Sequence, residues 1–162
     1  MDKTEFTTRA EQIKERLYRT AYLYVGDEDK ALEVVGEAVY RGFASLKKLR
    51  QPDFFETWLT RILINECKKE LRRRKREKLF DTVPETSDDT VTFTEEILDA
   101  LPLKEALFHL PQELKEVIIL RYFSGFTLAE TAMSLEIPQG TVVTRQRRAL
   151  KLLKLELSEE DE

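Results

Sequence analysis

The chain has 162 residues, of which 41% are hydrophobic and 36% charged, with a net charge of −4; this allows one medium domain or two small ones and indicates a soluble, helix-rich protein. One cysteine and one histidine exclude an internal disulfide and a zinc site of cysteines and histidines, so the reducing cytoplasm is the expected compartment. The polar N-terminus and the lack of an apolar run of roughly 20 residues predict neither a signal peptide nor membrane insertion.

Charge is segregated along the chain. Residues 1–79 contain 19 lysines and arginines against 14 acids, residues 80–103 contain seven acids and no base, and residues 104–162 contain eight bases against ten acids. The net negative charge therefore does not exclude a nucleic-acid partner, because a basic part of the chain can bind phosphates by itself.

Two helices are predicted first. The inward spacing of Ile13, Leu17, Ala21 and Tyr24 predicts a helix over residues 4–25 that ends at Gly26. A second helix is predicted over residues 28–49. Its apolar stripe consists of Leu32, Val35, Val39, Phe43 and Leu46. Two glycines inside it, Gly36 and Gly42, are interpreted as places of close approach to a neighbouring helix.

A third helix is predicted from Asp53, with Glu56 completing a capping box, and it becomes steadily more basic toward Lys78. Its buried face is predicted to contain Phe55, Leu59, Ile62 and Leu63, and Trp58 is interpreted as core rather than as a stacking wedge. Residues 68–78 contain eight bases. Phosphate neutralisation explains that density, with a basic segment that binds any polyanion as the alternative.

Residues 80–102 read as an extended acidic linker, with a short helical turn near residues 95–100. Four helices are predicted after it: residues 103–110, a helix after Pro111, residues 127–134 and a helix from Pro138. The inward residues of the second are Leu114, Val117, Ile118 and Tyr122, and those of the fourth are Val142, Ala149, Leu150 and Leu153. The third has a capping box of Thr127 and Glu130. The predicted fold is all-α, with two small helical bundles (residues 1–79 and 103–162) joined by the linker at 80–102.

The last two helices have the shape of a helix-turn-helix. A helix of about eight residues is followed by the short turn Leu135-Glu136-Ile137 and a longer helix, which would enter the major groove. That helix and the start of the preceding one supply hydroxyls and cations suited to DNA: Thr127, Thr141, Thr144, Arg145, Arg147, Arg148 and Lys151. The alternative is a surface helix whose bases are only solvated.

The run Leu128-Ala-Glu-Thr-Ala-Met-Ser-Leu-Glu-Ile-Pro-Gln-Gly-Thr-Val-Val-Thr-Arg-Gln-Arg-Arg-Ala149 resembles region 4 of bacterial extracytoplasmic-function (ECF) sigma factors. The pattern Phe55-x-x-Trp58-Leu59-x-x-Ile62-x-x-Asn65, with the basic helix after it, resembles the family's regions 2.3 to 2.4. Residues 34–43 resemble region 2.2. The resemblance covers nearly the whole chain in the family's order and spacing.

The resemblance implies a sigma factor that binds core RNA polymerase and promoter DNA. Contacts to the beta-prime clamp are implied for Glu33, Val34, Gly36, Glu37, Tyr40 and Arg41, with the region-4 bundle on the beta flap. A −10 element is implied to contact Arg50, Gln51, Asp53, Arg61, Asn65, Lys68, Lys69, Arg72, Arg73 and Arg76. Asn65 would serve a flipped base. A −35 element is implied to contact the seven helix-turn-helix residues named above.

The resemblance also implies a membrane-anchored anti-sigma factor as inhibitor, release under envelope or extracellular stress, and a monomeric free protein. The polymerase would do the chemistry, so neither enzymatic activity nor a cofactor is expected. The 23-residue linker would thread the polymerase's RNA path. Extended, it reaches at most about 76–83 Å, enough for promoter elements about 70 Å apart.

Two alternatives belong to other functional classes. A stand-alone helix-turn-helix regulator that acts as a dimer would need a ligand or dimerisation domain in the first half of the chain. A small nuclease would need clustered carboxylates for a metal, or a nucleophile beside a base. Cys67 and His109 have no evident partners in the sequence for such a site.

Overall fold

The computed structural model describes the backbone of residues 1–80 and 101–160, and the side chains of residues 1–79 and 102–154. Every element in those ranges is helical, and the chain divides into two compact units, one on each side of the undescribed segment. The predicted acidic linker lies almost wholly outside the described residues.

The first unit contains three long helices, α1 (Lys3–Val25), α2 (Glu28–Ala44) and α3 (Phe55–Phe80), each packed on the other two. Their ends follow from local chemistry. The Asp2 carboxylate accepts a hydrogen bond from the Glu5 amide at 2.7 Å and caps α1. Gly26 ends α1 at φ 75°, where a residue without a side chain is favoured, and Asp27 then caps α2. The predicted boundary between the two helices is confirmed.

Aromatic and aliphatic side chains from all three helices form the core of the first unit. The rings of Phe6 and Phe55 meet edge to face, with centroids 5.5 Å apart, and Leu59 and Leu63 of α3 are fully buried. Each such side chain contributes about 1.5–3 kcal/mol when it leaves water. Packing of these residues determines how α3 is oriented on α1 and α2.

The predicted apolar stripe of α2 is wrong at Leu32 and Phe43, whereas Val35 is buried as predicted. The inward face consists of Ala31, Val34, Val35, Ala38 and Gly42, whereas Leu32 is 58% and Phe43 38% exposed. Small residues face inward because the helices approach closely there. A Cβ on Gly42 would lie 2.8 Å from Leu59 Cδ1, whereas no atom of the described residues lies within 4 Å of a Cβ on Gly36. The close-packing interpretation therefore holds for Gly42 and fails for Gly36.

The connection between α2 and α3 also differs from prediction. The helix ends at Ala44 rather than near residue 49, and 3-10 turns at Leu46–Lys48 and Pro52–Phe54 lead into α3. Asp53 lies inside the second turn, and Glu56 pairs with Arg16 of α1, so the expected capping box is not how α3 begins. Trp58 is half-buried beside Phe55, with ring centroids 6.4 Å apart, partly as expected for a core residue.

The second unit contains α4 (Leu101–His109), α5 (Gln112–Ile118), a π-helical segment (Ile119–Phe123), α6 (Leu128–Leu135) and α7 (Gln139–Glu160). The last helix packs against α4, α5 and α6. Val142, Ala149 and Leu153 are buried as predicted, but Leu150 is 40% exposed. Pro138 lies just before α7 instead of at its first position, and its carbonyl accepts hydrogen bonds from the Thr141 and Val142 amides.

The π-helical segment changes the face on which the following residues lie. The Ser124 amide bonds to the Ile119 carbonyl at 2.9 Å, five residues back, so the turn holds one more residue than an α-helical turn. Leu120 is consequently buried, whereas Tyr122, predicted to point inward, is 53% exposed. A 3.6-residue period cannot anticipate that shift.

Candidate nucleic-acid interface

The loop before α3 presents three of the predicted −10 residues, Arg50, Gln51 and Asp53, all exposed. The loop is tied to α1 by Arg9, whose Nη1 donates to the Pro52 carbonyl at 2.9 Å and whose guanidinium lies 4.8 Å from the centre of the Phe55 ring. This double contact gives the short loop a defined position at the head of α3.

A groove of about 650 Å³ opens where α2 meets α3. Its α3 wall includes Asn65, Lys68, Lys69 and Arg72, all predicted −10 residues, and its α2 wall includes Glu37, Tyr40 and Arg41, all predicted polymerase contacts. Arg61, another predicted −10 residue, is exposed on α3. Asn65 is exposed and its amide can both donate and accept hydrogen bonds. The fold therefore brings residues predicted for two different partners to a single groove.

Glu66 links the two walls of that groove. Its Oε1 lies 2.9 Å from Arg41 Nε and 3.1 Å from Lys69 Nζ, and Arg41 Nε is also 2.9 Å from Glu37 Oε1. The Glu66 side chain is only 10% exposed. Glu66 was not among the predicted site residues, although an acid inside a basic helix was a visible signal. The pairing holds Arg41 and Lys69 in place at the edge of the groove.

The basic half of α3 is less uniform than its sequence suggests. Arg73 pairs with Glu70 and Glu77, and the hydrogen bond from Arg73 lowers the pKa of Glu70 while the same bond raises the pKa of Arg73. Arg74 donates to the Val25 carbonyl at 2.6 Å. Arg72 and Arg76 are exposed and form no ion pair within the described part of the chain. They fit the predicted phosphate role better than Arg73 does.

The helix-turn-helix is formed by α6, a turn at Glu136 and α7. The predicted capping box is confirmed: the Thr127 hydroxyl accepts from the Glu130 amide and the Glu130 carboxylate accepts from the Thr127 amide, both at 3.0 Å. Glu136 ends α6 with φ 57°, in the left-handed region. This sharp reversal separates the two helices by three residues, as a helix-turn-helix requires.

The predicted −35 residues differ in how they are held. Arg147, Arg148 and Lys151 are exposed, and Thr141 is half-buried. The Thr144 hydroxyl donates to the Gly140 carbonyl at 3.0 Å, and Arg145 lies 3.8 Å from Glu113 of α5. Thr127 is exposed, with its hydroxyl engaged as the cap described above. The three exposed cations lie on one side of α7.

Most of the predicted polymerase residues lie on one exposed face of α2. Glu33, Gly36, Glu37, Tyr40 and Arg41 are exposed, and Tyr40 is 68% exposed. Val34 is the exception: it is 6% exposed and packs in the core, so its side chain is not available to a partner. Beside this face an apolar groove of about 590 Å³ runs between α1 and α2, lined by Leu32, Val39 and Phe43 among others.

Cys67 is a fully buried thiol, and His109 lies at the surface of α4. Among the described residues no cluster of histidine, cysteine and acids is arranged to hold a metal ion. None of the described helices combines the length and the apolar character that a membrane crossing requires.

Comparison with known proteins places both units in one family. The family model "Sigma-70 region 2" matches residues 10–77, and "Sigma-70, region 4" matches residues 106–155. The sigma factor SigV of Bacillus subtilis is 34% identical over 91% of this chain and 88% of its own length. The ECF sigma factor SigW of the same organism is 25% identical over 96% and 90%. The sigma factor RpoE of Bartonella quintana, solved with the anti-sigma factor NepR, superposes with a TM-score of 0.79 at 25% identity, covering 95% of this chain and 97% of that one.

Proposed function

This chain belongs to the sigma-70 family, in its ECF class, and we propose from that premise that it directs core RNA polymerase to a set of promoters and helps to melt their −10 elements. The observation that carries the proposal is the groove between α2 and α3. It combines the Asn65 amide, a row of cations and the exposed face of α2, while the other unit presents a helix-turn-helix.

The −10 element is assigned to the loop before α3 and to the α3 wall of the groove. An extruded base needs a pocket with hydrogen-bonding groups, and the exposed Asn65 amide at the groove offers a donor and an acceptor. Lys68, Lys69, Arg72 and Arg76 supply positive charge for the phosphates on either side. The proposed role of Arg73 is smaller, because two carboxylates already neutralise its charge.

The −35 element is assigned to α7. Arg147 and Arg148 follow each other on its exposed surface, and arginine is the side chain best suited to bidentate contact with guanine. Lys151, one turn later, fits a phosphate. Arg145 must break its ion pair with Glu113 before it can contact a base, so it is the weaker candidate for a base contact.

The exposed face of α2 is assigned to core polymerase, with Tyr40, Glu37 and Arg41 as its central residues. RpoE was solved with an anti-sigma factor, which supports control of this chain by a protein of that class; that its partner is membrane-anchored is part of the proposal. The polymerase performs the chemistry, in the cytoplasm, and this chain supplies recognition. The domain bounds of 1–79, 80–102 and 103–162 remain predictions.

The test compares the protein with and without core polymerase of Bacillus subtilis on duplexes that the holoenzyme selects from random sequence. The proposal expects specific binding and run-off transcription only with the polymerase. Asn65→Ala should reduce open-complex formation, measured by reactivity of unpaired thymines, while polymerase binding in a pull-down stays unchanged. Gln12→Ala, which removes an exposed amide of α1 that has no assigned contact, is the matched surface control.

Two outcomes contradict the proposal. Specific, tight binding by the protein alone, as a dimer, would support the stand-alone regulator. Loss of polymerase binding in Asn65→Ala would show that the residue serves the polymerase interface rather than the DNA.

A further inference from the structure

We infer that Arg121 is a positioning residue for α7, the helix proposed to read the −35 element. Arg121 fixes the orientation of α7 and does not touch DNA itself. The inference rests on the proposed function of α7. It was not visible in the sequence, where Arg121 is an ordinary surface cation at the end of a helix.

The Arg121 guanidinium joins three parts of the second unit. The residue lies in the π-helical segment Ile119–Phe123 and is half-buried. Its Nη1 donates to the Phe126 carbonyl at 2.7 Å, immediately before the Thr127 cap of α6, and its Nε donates to Gln146 Oε1 of α7 at 2.9 Å. One rigid, planar group therefore bridges the start of the first helix of the helix-turn-helix and the middle of the second.

Gln146 is the residue of α7 that accepts the hydrogen bond from Arg121. By residue type a glutamine on a recognition helix would be a candidate to read adenine. Here its amide oxygen is engaged by Arg121, since a guanidinium has only donors. Successive residues of an α-helix are about 100° apart around the axis. Fixing Gln146 therefore also fixes the directions of its neighbours Arg145 and Arg147, which flank the major-groove side.

The π-helical turn is what aims Arg121 at these two acceptors. With one more residue in the turn, Leu120 packs inward and Arg121 faces α7, while Tyr122 and Phe123 are exposed. Such turns occur often at functional positions in helices. The same turn also places Ile119 and Leu120 in the core of this unit.

The test uses the full chain in holoenzyme with Bacillus subtilis core polymerase, and a promoter duplex selected from random sequence beside a copy with its −35 element scrambled. Arg121→Met and Gln146→Leu should lower the affinity ratio of the two duplexes about five- to tenfold, the size of one weakened base contact. The dependence of affinity on salt should not change. Gln146→Glu, which keeps an acceptor, should retain the ratio, and the double variant should be no worse than either single one.

Three results would overturn the inference. An equal loss on both duplexes, with the salt slope reduced by about 0.9, would make Arg121 a phosphate contact. An unchanged ratio in Arg121→Met would remove any positioning role. An equal loss in Gln146→Glu and Gln146→Leu would show that the hydrogen bond is not what matters.

Hydrogen exchange of the α6 and α7 amides checks that each variant folds. If Arg121→Met unfolds the unit, Arg121→Lys is used instead. One ammonium cannot reproduce the planar bridge, so the same decrease in the affinity ratio of the two duplexes is expected.

Arg148→Ala separates the two proposals. If the wild-type holoenzyme prefers the intact −35 element and Arg148→Ala weakens that preference, the proposed function holds whatever Arg121 does. If the wild type shows no preference, the proposed function itself fails.

Discussion

At the scale of single residues, two buried threonines differ in whether their hydroxyl groups form a hydrogen bond. Thr20 of α1 is buried with its hydroxyl bonded to the Arg16 carbonyl at 3.0 Å. Thr131 of α6 is also fully buried, but its hydroxyl oxygen has no hydrogen-bond partner among the residues that the structure describes. A buried hydroxyl without a partner costs about 1–3 kcal/mol. The two threonines are therefore equally buried, but the hydroxyl of Thr20 should stabilise the fold whereas that of Thr131 should destabilise it.

Thr131→Val should stabilise the second unit by about 1 kcal/mol, because it removes an unsatisfied hydroxyl at nearly constant shape. Hydrogen exchange of the α6 and α7 amides in the full chain measures the change. Thr20→Val, the control, should destabilise the first unit by a similar amount. If both variants destabilise, the Thr131 hydroxyl has a partner in solution.

At the scale of elements, α2 shows what sequence periodicity can and cannot identify. Its start was predictable from Gly26 and Asp27, because those residue types have specific backbone and capping preferences, whereas its end near residue 49 was predicted wrongly. Its inward face was not predictable, because the larger apolar residues Leu32 and Phe43 lie on a second face that lines the apolar groove. Side-chain hydrophobicity favours the larger residues, but close approach of α3 selects the smaller ones. The same limit explains Tyr122, where a π-helical turn shifts the phase.

The two glycines inside α2 give a matched test of this packing. Gly42→Ala should destabilise the first unit by about 1–3 kcal/mol, since the new methyl group collides with Leu59. Gly36→Ala, where nothing lies within 4 Å, should stabilise it by about 0.5–1 kcal/mol through helix propensity. Denaturant unfolding followed by Trp58 fluorescence measures both. If α2 instead turned Gly36 toward α3 and Gly42 toward solvent, Gly36→Ala would destabilise the unit and Gly42→Ala would stabilise it.

The basic half of α3 permits a second comparison within one element. Arg72→Gln and Arg76→Gln should each reduce the slope of log affinity against log salt by about 0.9 on promoter DNA in holoenzyme, because each cation neutralises a phosphate. Arg73→Gln should change the slope less, because Glu70 and Glu77 already hold its charge. Fluorescence anisotropy across a salt series gives the slopes. Equal effects for all three would mean that DNA displaces the carboxylates from Arg73.

At the scale of the whole molecule, the sequence predicted the number and order of the units better than their detail. The all-α class, the boundary near the acidic segment and the helix-turn-helix follow from patterns repeated over many residues. The groove that combines Asn65 with Arg41, and the Glu66 pairing across it, depend on how two consecutive helices pack against each other. The family resemblance identified Asn65 as a candidate, and the density of basic residues identified the cations. Only the packing shows that Arg73 is neutralised and that Val34 is buried.

Because each unit has its own core, a cavity in one should lower the stability of that unit alone. Leu107→Ala in α4 and Leu63→Ala in α3 both remove fully buried side chains. Each should cost about 2–5 kcal/mol. Hydrogen exchange should report the loss within residues 101–160 for Leu107→Ala and within residues 1–80 for Leu63→Ala. A loss shared by both ranges in either variant would show that the units unfold as one.

The π-helical turn also constrains how this chain can be recombined with its relatives. Deleting one residue between Ile119 and Phe123 would let the segment close as a regular α-helix and would rotate what precedes it by about 100° relative to α6 and α7. Chimaeras that exchange recognition helices between sigma factors must therefore preserve the number of residues in this turn as well as their identity.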